Sequence, residues 1–172
     1  NYMAAIALME GLATDDAIRQ VARAFGGVEH RIELVRGKDG VRFYNDSIAS
    51  SPSRTIAGLR SFPEQVILIA GGYDKHIPYD VLGPEICKHV KKLFLGGATG
   101  PKIRAAVEAA PEYVPGKPEI VDCKDFTEAT LAAAKAAESG DVVLMSPASA
   151  AFDQFKNFMV RGEYYKKLIK EL

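Results

Sequence analysis

A lysine that follows a glycine turn is the residue of this chain best suited to bind an anion. The apolar run 66–70 ends at Gly71-Gly72, and Asp74 and Lys75 follow within three residues. Such a run predicts a buried parallel strand, and ligands bind at the carboxyl ends of parallel strands. Lys75 is therefore a candidate partner for a carboxylate or a phosphate. The alternative interpretation is an ordinary surface pair of Asp74 and Lys75, which would contribute little.

Two further groups of polar residues lie where the sequence predicts strand boundaries. His30-Arg31 precedes the first predicted strand, and an arginine there can stabilise phosphate charge. The alternative interpretation of His30-Arg31 is an ordinary exposed pair at the start of a strand. Asn45-Asp46-Ser47 follows the second predicted strand, and Asp46 is suited to hold a ribose hydroxyl or a metal-bound water. Ordinary turn chemistry also favours Asn, Asp and Ser at this place, so both interpretations stay open.

The small-residue segment 146–153 opens the last predicted helix, which we expect over about 152–171 with a break near Gly162. Backbone N–H groups at the start of such a helix can bind an anion. Asp153 is equally typical of a helix start without any ligand. Ser149 has no neighbouring base, so we reject a serine nucleophile.

Composition and motifs exclude several classes of function. Lys and Arg together number 22, as do Asp and Glu, so no net charge attracts nucleic acid or an anionic membrane. No apolar run approaches the ~20 residues of a membrane span. Neither GxGxxG nor GxxxxGK[ST] occurs, so this chain alone does not cradle a triphosphate in the usual way. Cys87 and Cys123 are isolated, which favours free thiols in a reducing cytoplasm over a disulfide or a catalytic thiol. The three histidines lack metal-ligand spacing, so we expect no zinc site.

Hydrophobic patterning predicts an α/β fold. Two helical segments, 2–12 and 14–25, form a leader, and the alternating runs 31–35 and 41–45 predict a β-hairpin. Helices then alternate with strands over 66–70, 92–95, 119–121 and 141–145. This order predicts a Rossmann-like, open twisted, mostly parallel sheet with helices on both faces.

Motifs spread over the whole chain resemble the Mur ligase family, and within it the members that add D-glutamate. The matching segments are His30-Arg31-Ile32-Glu33, Phe43-Tyr44-Asn45-Asp46-Ser47, Gly71-Gly72-Tyr73-Asp74-Lys75, Ser146-Pro147-Ala148, Phe152-Asp153-Gln154-Phe155-Lys156-Asn157-Phe158 and Arg161-Gly162-Glu163. The resemblance implies ATP-dependent peptide bond formation through an acyl phosphate, with ATP and Mg²⁺ as cofactors. It implies D-glutamate and UDP-N-acetylmuramoyl-L-alanine as substrates.

The resemblance also implies roles for individual residues. D-glutamate would be bound by Lys75, Ser50, Phe158, Ala151 and Phe152. ATP would be faced by Asn1, His30, Arg31 and Asp46. Three positions depart from the family pattern. Ile48 stands where a lysine is common, Ser51 stands where an asparagine is common, and Ala151 replaces a serine of the amino-acid pocket.

The resemblance further divides the chain into two parts. Residues 1–28 resemble the last helices of a central ATPase domain, and residues 29–172 a C-terminal amino-acid-binding domain. We expect this chain to be inactive alone and the whole enzyme to be a cytoplasmic monomer. Two alternatives stay open: another Mur-type or folylpolyglutamate-type amide ligase domain, and a Rossmann-like binding module without catalysis.

Overall fold

A six-stranded sheet forms the centre of the computed structural model, which describes residues 2–172. The strands are β1 (Glu33–Lys38), β2 (Val41–Asn45), β3 (Val66–Ala70), β4 (Val90–Leu95), β5 (Glu119–Asp122) and β6 (Val142–Met145). Their order in the sheet is β1-β2-β6-β3-β4-β5. The β1–β2 pair is antiparallel and the other pairs are parallel. The predicted sheet with a hairpin at its start is confirmed.

Helices connect these strands and precede them. They are α1 (Tyr2–Leu8), α2 (Asp15–Ala24), α3 (Pro52–Leu59), α4 (Gly83–His89), α5 (Gly100–Glu108), α6 (Phe126–Lys135) and α7 (Phe158–Glu171), with a 3₁₀ turn over Asp80–Leu82. Side-chain caps define several starts, because the first N–H groups of a helix lack partners within it. Thr14 caps α2 by accepting the Ala17 N–H, and Asp125 caps α6 by accepting the Glu128 N–H.

Two apolar layers cover the two faces of the sheet. Successive side chains of a strand point to opposite faces. Leu68 of β3 therefore packs with residues of α3, α4 and α5, while Ile67 and Ile69 pack with residues of α6 and α7. β3 and β6 are buried along their whole length because helices cover both sides. The predicted placement of helices on both faces is confirmed.

The last helix begins later than the sequence predicts. α7 starts at Phe158, because Asn157 Oδ1 accepts the Val160 N–H at 2.9 Å, and residues 152–157 form turns. Asp153 therefore does not lie at a helix start, and the prediction that the last helix begins near residue 152 is wrong. Gly162 does not break the helix either. It lies within α7, where a Cβ would come 2.3 Å from His30 Nδ1.

The leader helices α1 and α2 bury little of their surface. Large apolar side chains on them or directly after α1, including Ile6, Met9 and Val21, are exposed. These residues line an apolar groove between the two helices. Among residues 2–172, no helix is long and apolar enough to cross a membrane.

Candidate ligand-binding site at the carboxyl edge of the sheet

Four neighbouring parallel strands, β2, β6, β3 and β4, end at one edge of the sheet and bring their following loops together. Asn45 of β2 and Ile69 of β3 are both in register with Met145 of β6, which lies between them. β4 is the parallel neighbour of β3 on the other side. The loops after these strands contain the polar segments that the sequence singled out. In open α/β sheets this edge is where ligands bind.

Two glycines let the loop after β3 lie against its neighbours. A Cβ on Gly71 would come 1.9 Å from the Gly96 carbonyl oxygen, and one on Gly72 would come 2.4 Å from the Ala150 carbonyl oxygen. Both have positive φ, which favours glycine. The Tyr73 N–H donates to the Ala150 carbonyl at 2.9 Å. The loop that carries Lys75 is thus fixed to the loop after β6.

Asp46 is a buried carboxylate with both oxygens occupied. It is 3% exposed; its Oδ1 accepts the Ile32 N–H at 3.3 Å and its Oδ2 accepts the Ser146 hydroxyl at 2.7 Å. Burial raises the pKa of the Asp46 carboxyl to about 6, although these hydrogen bonds and the charges of Arg31 and Arg54 act in the opposite direction. At neutral pH the Asp46 carboxyl is therefore ionised, and burying this charge lowers the stability of the folded state.

His30 is buried and has a defined orientation. Asn45 Oδ1 accepts the Ser47 N–H at 3.1 Å, which orients the amide so that Asn45 Nδ2 faces Glu33 Oε2 at 3.0 Å and His30 Nδ1 at 2.9 Å. An amide NH₂ only donates, so His30 Nδ1 accepts and the ring proton lies on Nε2. Nε2 points toward Glu163 Oε1 at 3.8 Å. His30 is 4% exposed, so it is not the exposed residue at a strand start that one interpretation allowed.

The other residues predicted to face ATP differ in their surroundings. Arg31 follows His30 directly and is exposed. Its side chain forms no salt bridge with a residue of the described chain, and its charge acts on Asp46. Asn1 lies outside the described residues. The structure thus brings His30, Arg31 and Asp46 to one part of the edge.

Lys75 is exposed, and its neighbour Asp74 is already paired. Asp74 Oδ2 lies 2.5 Å from Lys102 Nζ, and Asp74 Oδ1 accepts the His76 N–H at 2.8 Å. The hydrogen bond from Lys102 lowers the pKa of the Asp74 carboxyl. Lys75 itself has no salt bridge to any residue that the structure describes. The surface pair between Asp74 and Lys75 is therefore not formed, and the Lys75 ammonium is free for another anion.

The remaining predicted pocket residues lie on the loops after β2 and β6 and at the start of α7. Ala151 is buried, whereas Phe152 is 60% exposed and its ring meets that of Tyr73 edge to face at 5.9 Å. The Phe158 carbonyl accepts the Ser47 hydroxyl at 2.7 Å, and the Phe158 ring packs against His30. Ser50 is half-buried in the loop between β2 and α3.

A buried arginine, for which the sequence predicted no role, joins these loops. Arg161 of α7 donates from Nε to Ser47 Oγ, from Nη1 to the Ala150 carbonyl, and from Nη2 to the Ser47 and Ser149 carbonyls, at 3.0–3.1 Å. Burial lowers its pKa to about 10. The spacing of Arg161, Tyr165 and Ile169, all buried on one face of α7, is the sequence signal that could have identified it.

A second polar network that the sequence did not predict fixes the loop after β6. Ser149 Oγ lies 2.8 Å from both Tyr79 Oη and Thr99 Oγ1, and Thr99 Oγ1 donates to the Gly72 carbonyl at 3.2 Å. Within residues 2–172, the groups of this network are three hydroxyls and a backbone carbonyl, with no carboxylate or imidazole.

One group of potential metal ligands lies beside this edge among the described residues: Glu29, His30 and Glu163. The Lys166 ammonium already lies between the carboxylates, 2.5 Å from Glu29 and 2.6 Å from Glu163. A divalent cation would have to displace that ammonium, so we assign no metal to this group.

Comparison with known proteins identifies the protein family to which this chain belongs. Residues 30–149 match the family described as Mur ligase, glutamate ligase domain, and the chain therefore belongs to the Mur ligase family. Its relatives include the UDP-N-acetylmuramoylalanine–D-glutamate ligases of Acetivibrio thermocellus, 54% identical, and Clostridium beijerinckii, 46% identical. Both matches cover all of this chain, but the chain spans only 37% and 38% of these relatives.

Solved structures share the fold. A murein peptide ligase from Psychrobacter arcticus is 14% identical with a TM-score of 0.59, over 99% of this chain and 36% of that protein. A bifunctional folylpolyglutamate synthase/dihydrofolate synthase from Yersinia pestis, complexed with AMPPNP and Mn, is 19% identical with a TM-score of 0.57. The match covers 91% of this chain and 35% of that protein. These similarities confirm the predicted fold class.

Proposed function

We propose that this chain is the C-terminal, amino-acid-binding part of an ATP-dependent ligase that joins D-glutamate to UDP-N-acetylmuramoyl-L-alanine in peptidoglycan synthesis. The observation that carries this proposal is the 54% identity, over the whole chain, to a D-glutamate ligase. Folylpolyglutamate synthases share the fold at 19% identity, which supports no common substrate. The D-glutamate assignment is therefore favoured over the other amide ligases with this architecture.

The proposed division of the chain places residues 1–28 at the end of a central ATPase domain and residues 29–172 in the amino-acid-binding domain. The exposed apolar groove of α1 and α2 supports this division, because large apolar side chains are normally covered. The chain carries no P-loop sequence and spans less than two fifths of its relatives. We therefore expect it to be inactive alone.

For the amino acid, we assign Lys75 to a carboxylate of D-glutamate. Its exposure and its lack of an ion-pair partner in the described chain support this role, as does the fixed backbone of its loop. The other proposed contacts are Ser50, Phe158, Ala151 and Phe152. Ala151 has no hydroxyl, so any polar contact at that position must come from its backbone or a neighbour.

For the nucleotide, we assign Asn1, His30, Arg31 and Asp46. Transfer of the ATP γ-phosphoryl group to the L-alanyl carboxylate would give an acyl phosphate and ADP. The D-glutamate amine would then attack the acyl carbon, lose a proton and expel phosphate. Mg²⁺ would neutralise phosphate charge during this transfer. We place its ligands in the part of the enzyme outside this chain, and the whole enzyme in the cytoplasm as a monomer.

The test is Lys75→Ala in the full-length enzyme, with ligation followed by phosphate release. Loss of one charge-assisted contact should raise the KM for D-glutamate about tenfold or more while the KM for ATP changes by less than about twofold. Lys135→Ala is the matched control, because Lys135 is exposed at the end of α6 that lies away from the carboxyl edge.

Two results would contradict the proposal. A wild-type enzyme that fails to ligate D-glutamate would show that the function is wrong. Equal changes in both KM values for Lys75→Ala, or no change in either, would show that the function is right but the assignment of Lys75 is wrong. Calorimetric titration of D-glutamate into the full-length enzyme and into this chain would show how much of the site each contains.

A further inference from the structure

Arg161 is a buried cation without a salt bridge among the described residues. It connects the nucleotide side and the amino-acid side of the candidate site. Arg161 is 1% exposed, and its side chain makes hydrogen bonds to oxygens of Ser47, Ser149 and Ala150. No carboxylate of the described chain lies within salt-bridge distance of it, although the charge of Asp153 acts on it from farther away. Four hydrogen bonds to neutral oxygens, together with the more distant charge of Asp153, thus compensate for burying this guanidinium.

These oxygens belong to the loops that carry the two proposed ligand groups. Ser47 follows Asp46, which is proposed to face ATP, and Ala150 precedes Ala151, which is proposed to face D-glutamate. The third loop lies close beside the guanidinium, because a Cβ built on Gly72 would be 3.2 Å from Arg161 Nη1. One side chain therefore meets the loops after β2, β3 and β6.

We propose that Arg161 is a positioning residue that fixes the nucleotide-side loop and the amino-acid-side loop to each other through their backbone carbonyls. The proposal rests on the proposed function for the identity of the two ligands. The guanidinium is suited to this task because it is planar and holds its N–H donors in a rigid fork. A lysine at this position offers a single ammonium on a flexible stem and cannot reach both loops in the same geometry.

Stability alone does not explain an arginine at this place. Desolvating a cation is costly, and buried ionic groups can often be replaced by apolar residues of similar volume without loss of stability. The lowered pKa of Arg161 reflects that cost. Keeping a guanidinium here therefore favours a role in setting the geometry of the loops.

The test compares Arg161→Lys with Arg36→Lys in the full-length enzyme. Arg36 is a matched control, because its guanidinium also donates to two backbone carbonyls of α7, those of Ile169 and Lys170, at the opposite end of the helix. For Arg161→Lys we expect the KM values for ATP and D-glutamate to rise together, each about tenfold. For Arg36→Lys we expect less than a twofold change in either.

Amide hydrogen exchange gives a readout that does not need ligase activity. In Arg161→Lys, amides of the segments 46–50 and 149–155 should exchange faster together, while those of β4 and β5 keep their wild-type rates. If the wild-type enzyme proves not to ligate D-glutamate, the proposed function fails, and this exchange pattern still decides the role of Arg161.

Three results would overturn the proposal: a rise in only one KM, the same exchange pattern in Arg36→Lys, or unchanged exchange in both segments. Ser47→Ala replaces Arg161→Lys in this test if the latter does not fold. It removes only the Ser47 hydroxyl, which accepts the Arg161 Nε–H and donates to the Phe158 carbonyl. It should accelerate exchange in both segments, to a smaller extent. Acceleration confined to 46–50 would contradict the coupling.

Discussion

Replacing Asp46 by asparagine should make the protein more stable at neutral pH. The substitution keeps the shape of the side chain and removes the charge. The amide oxygen can still accept the Ile32 N–H, and the new NH₂ can donate to Ser146 Oγ. Ser146 can then turn its hydroxyl hydrogen toward Thr55 Oγ1, 3.0 Å away, so each of these side chains keeps a hydrogen-bond partner.

The magnitude follows from the pKa of the Asp46 carboxyl. Burial raises it from an ordinary value near 3.8 to about 6, a difference of about two pKa units. At about 1.4 kcal/mol for each unit, the folded state holds the ionised group at a cost of about 3 kcal/mol. The new hydrogen bonds will not be ideal, so we expect a net gain of about 1–3 kcal/mol for Asp46→Asn at pH 7.5.

The pH dependence has a definite sign. A carboxyl whose pKa is raised on folding contributes its stability below the unfolded pKa, and the contribution is lost as the pH rises through the folded value. The difference in unfolding free energy between Asp46→Asn and wild type should therefore be small near pH 4, grow up to about pH 6 and be constant above about pH 7. Urea unfolding at several pH values measures it.

Asp74→Asn is the matched control with the opposite sign. Lys102 lowers the pKa of Asp74, so that carboxylate adds stability at neutral pH that is lost as the pH falls. A stability difference for Asp46→Asn that is independent of pH, or a less stable variant at pH 7.5, would refute the reasoning. In the full-length enzyme the same variant should raise the KM for ATP, because an amide oxygen is a weaker acceptor than a carboxylate for the ribose hydroxyl that Asp46 is suited to hold.

Two further predictions concern α7. Gly162→Ala should destabilise the chain by about 1–3 kcal/mol, because the new Cβ would meet the His30 ring. Gly100→Ala is the control and should be tolerated, because its new Cβ would have no contact closer than 3.6 Å. Equal urea midpoints for the two variants would contradict this prediction. Tyr165→Phe should stabilise the chain by about 1 kcal/mol, because the buried Tyr165 hydroxyl has no partner in the described structure; a lower midpoint than wild type would show that the hydroxyl is bonded.

The sheet could be predicted because each of its strands is encoded locally. The hairpin follows from two alternating runs around Asp39-Gly40, both of which have positive φ. β3 follows from an unbroken apolar run that helices cover on both sides. The start of α7 was missed because Phe152, Phe155 and Phe158 recur at helical spacing. Phe155 instead packs from a turn against Phe126, at 5.3 Å between ring centres.

The interior of the site could not be predicted because its contacts join distant parts of the chain. His30 is buried by Asn45 and by Gly162, which lies more than 130 positions away. Arg161 meets Ser47 across 114 positions. The spacing of Arg161, Tyr165 and Ile169 predicts that Arg161 lies on the buried face of α7, but it does not indicate which oxygens Arg161 contacts. The types and order of the residues thus predict which edge of the sheet binds ligands. The hydrogen-bond partners of each polar group are visible only in the structure.

The pairing of charges at this edge indicates which side chains remain for ligands. Asp74 is paired with Lys102, Glu163 is paired with Lys166, and both groups are thereby neutralised within the fold. Lys75 and Arg31 are exposed and lack such partners in the described chain. Two positive charges of the edge are therefore without a salt bridge, and they lie on the two sides proposed for D-glutamate and ATP. D-glutamate and ATP are both anions, so their binding would give Lys75 and Arg31 the negatively charged partners that these residues lack in the fold.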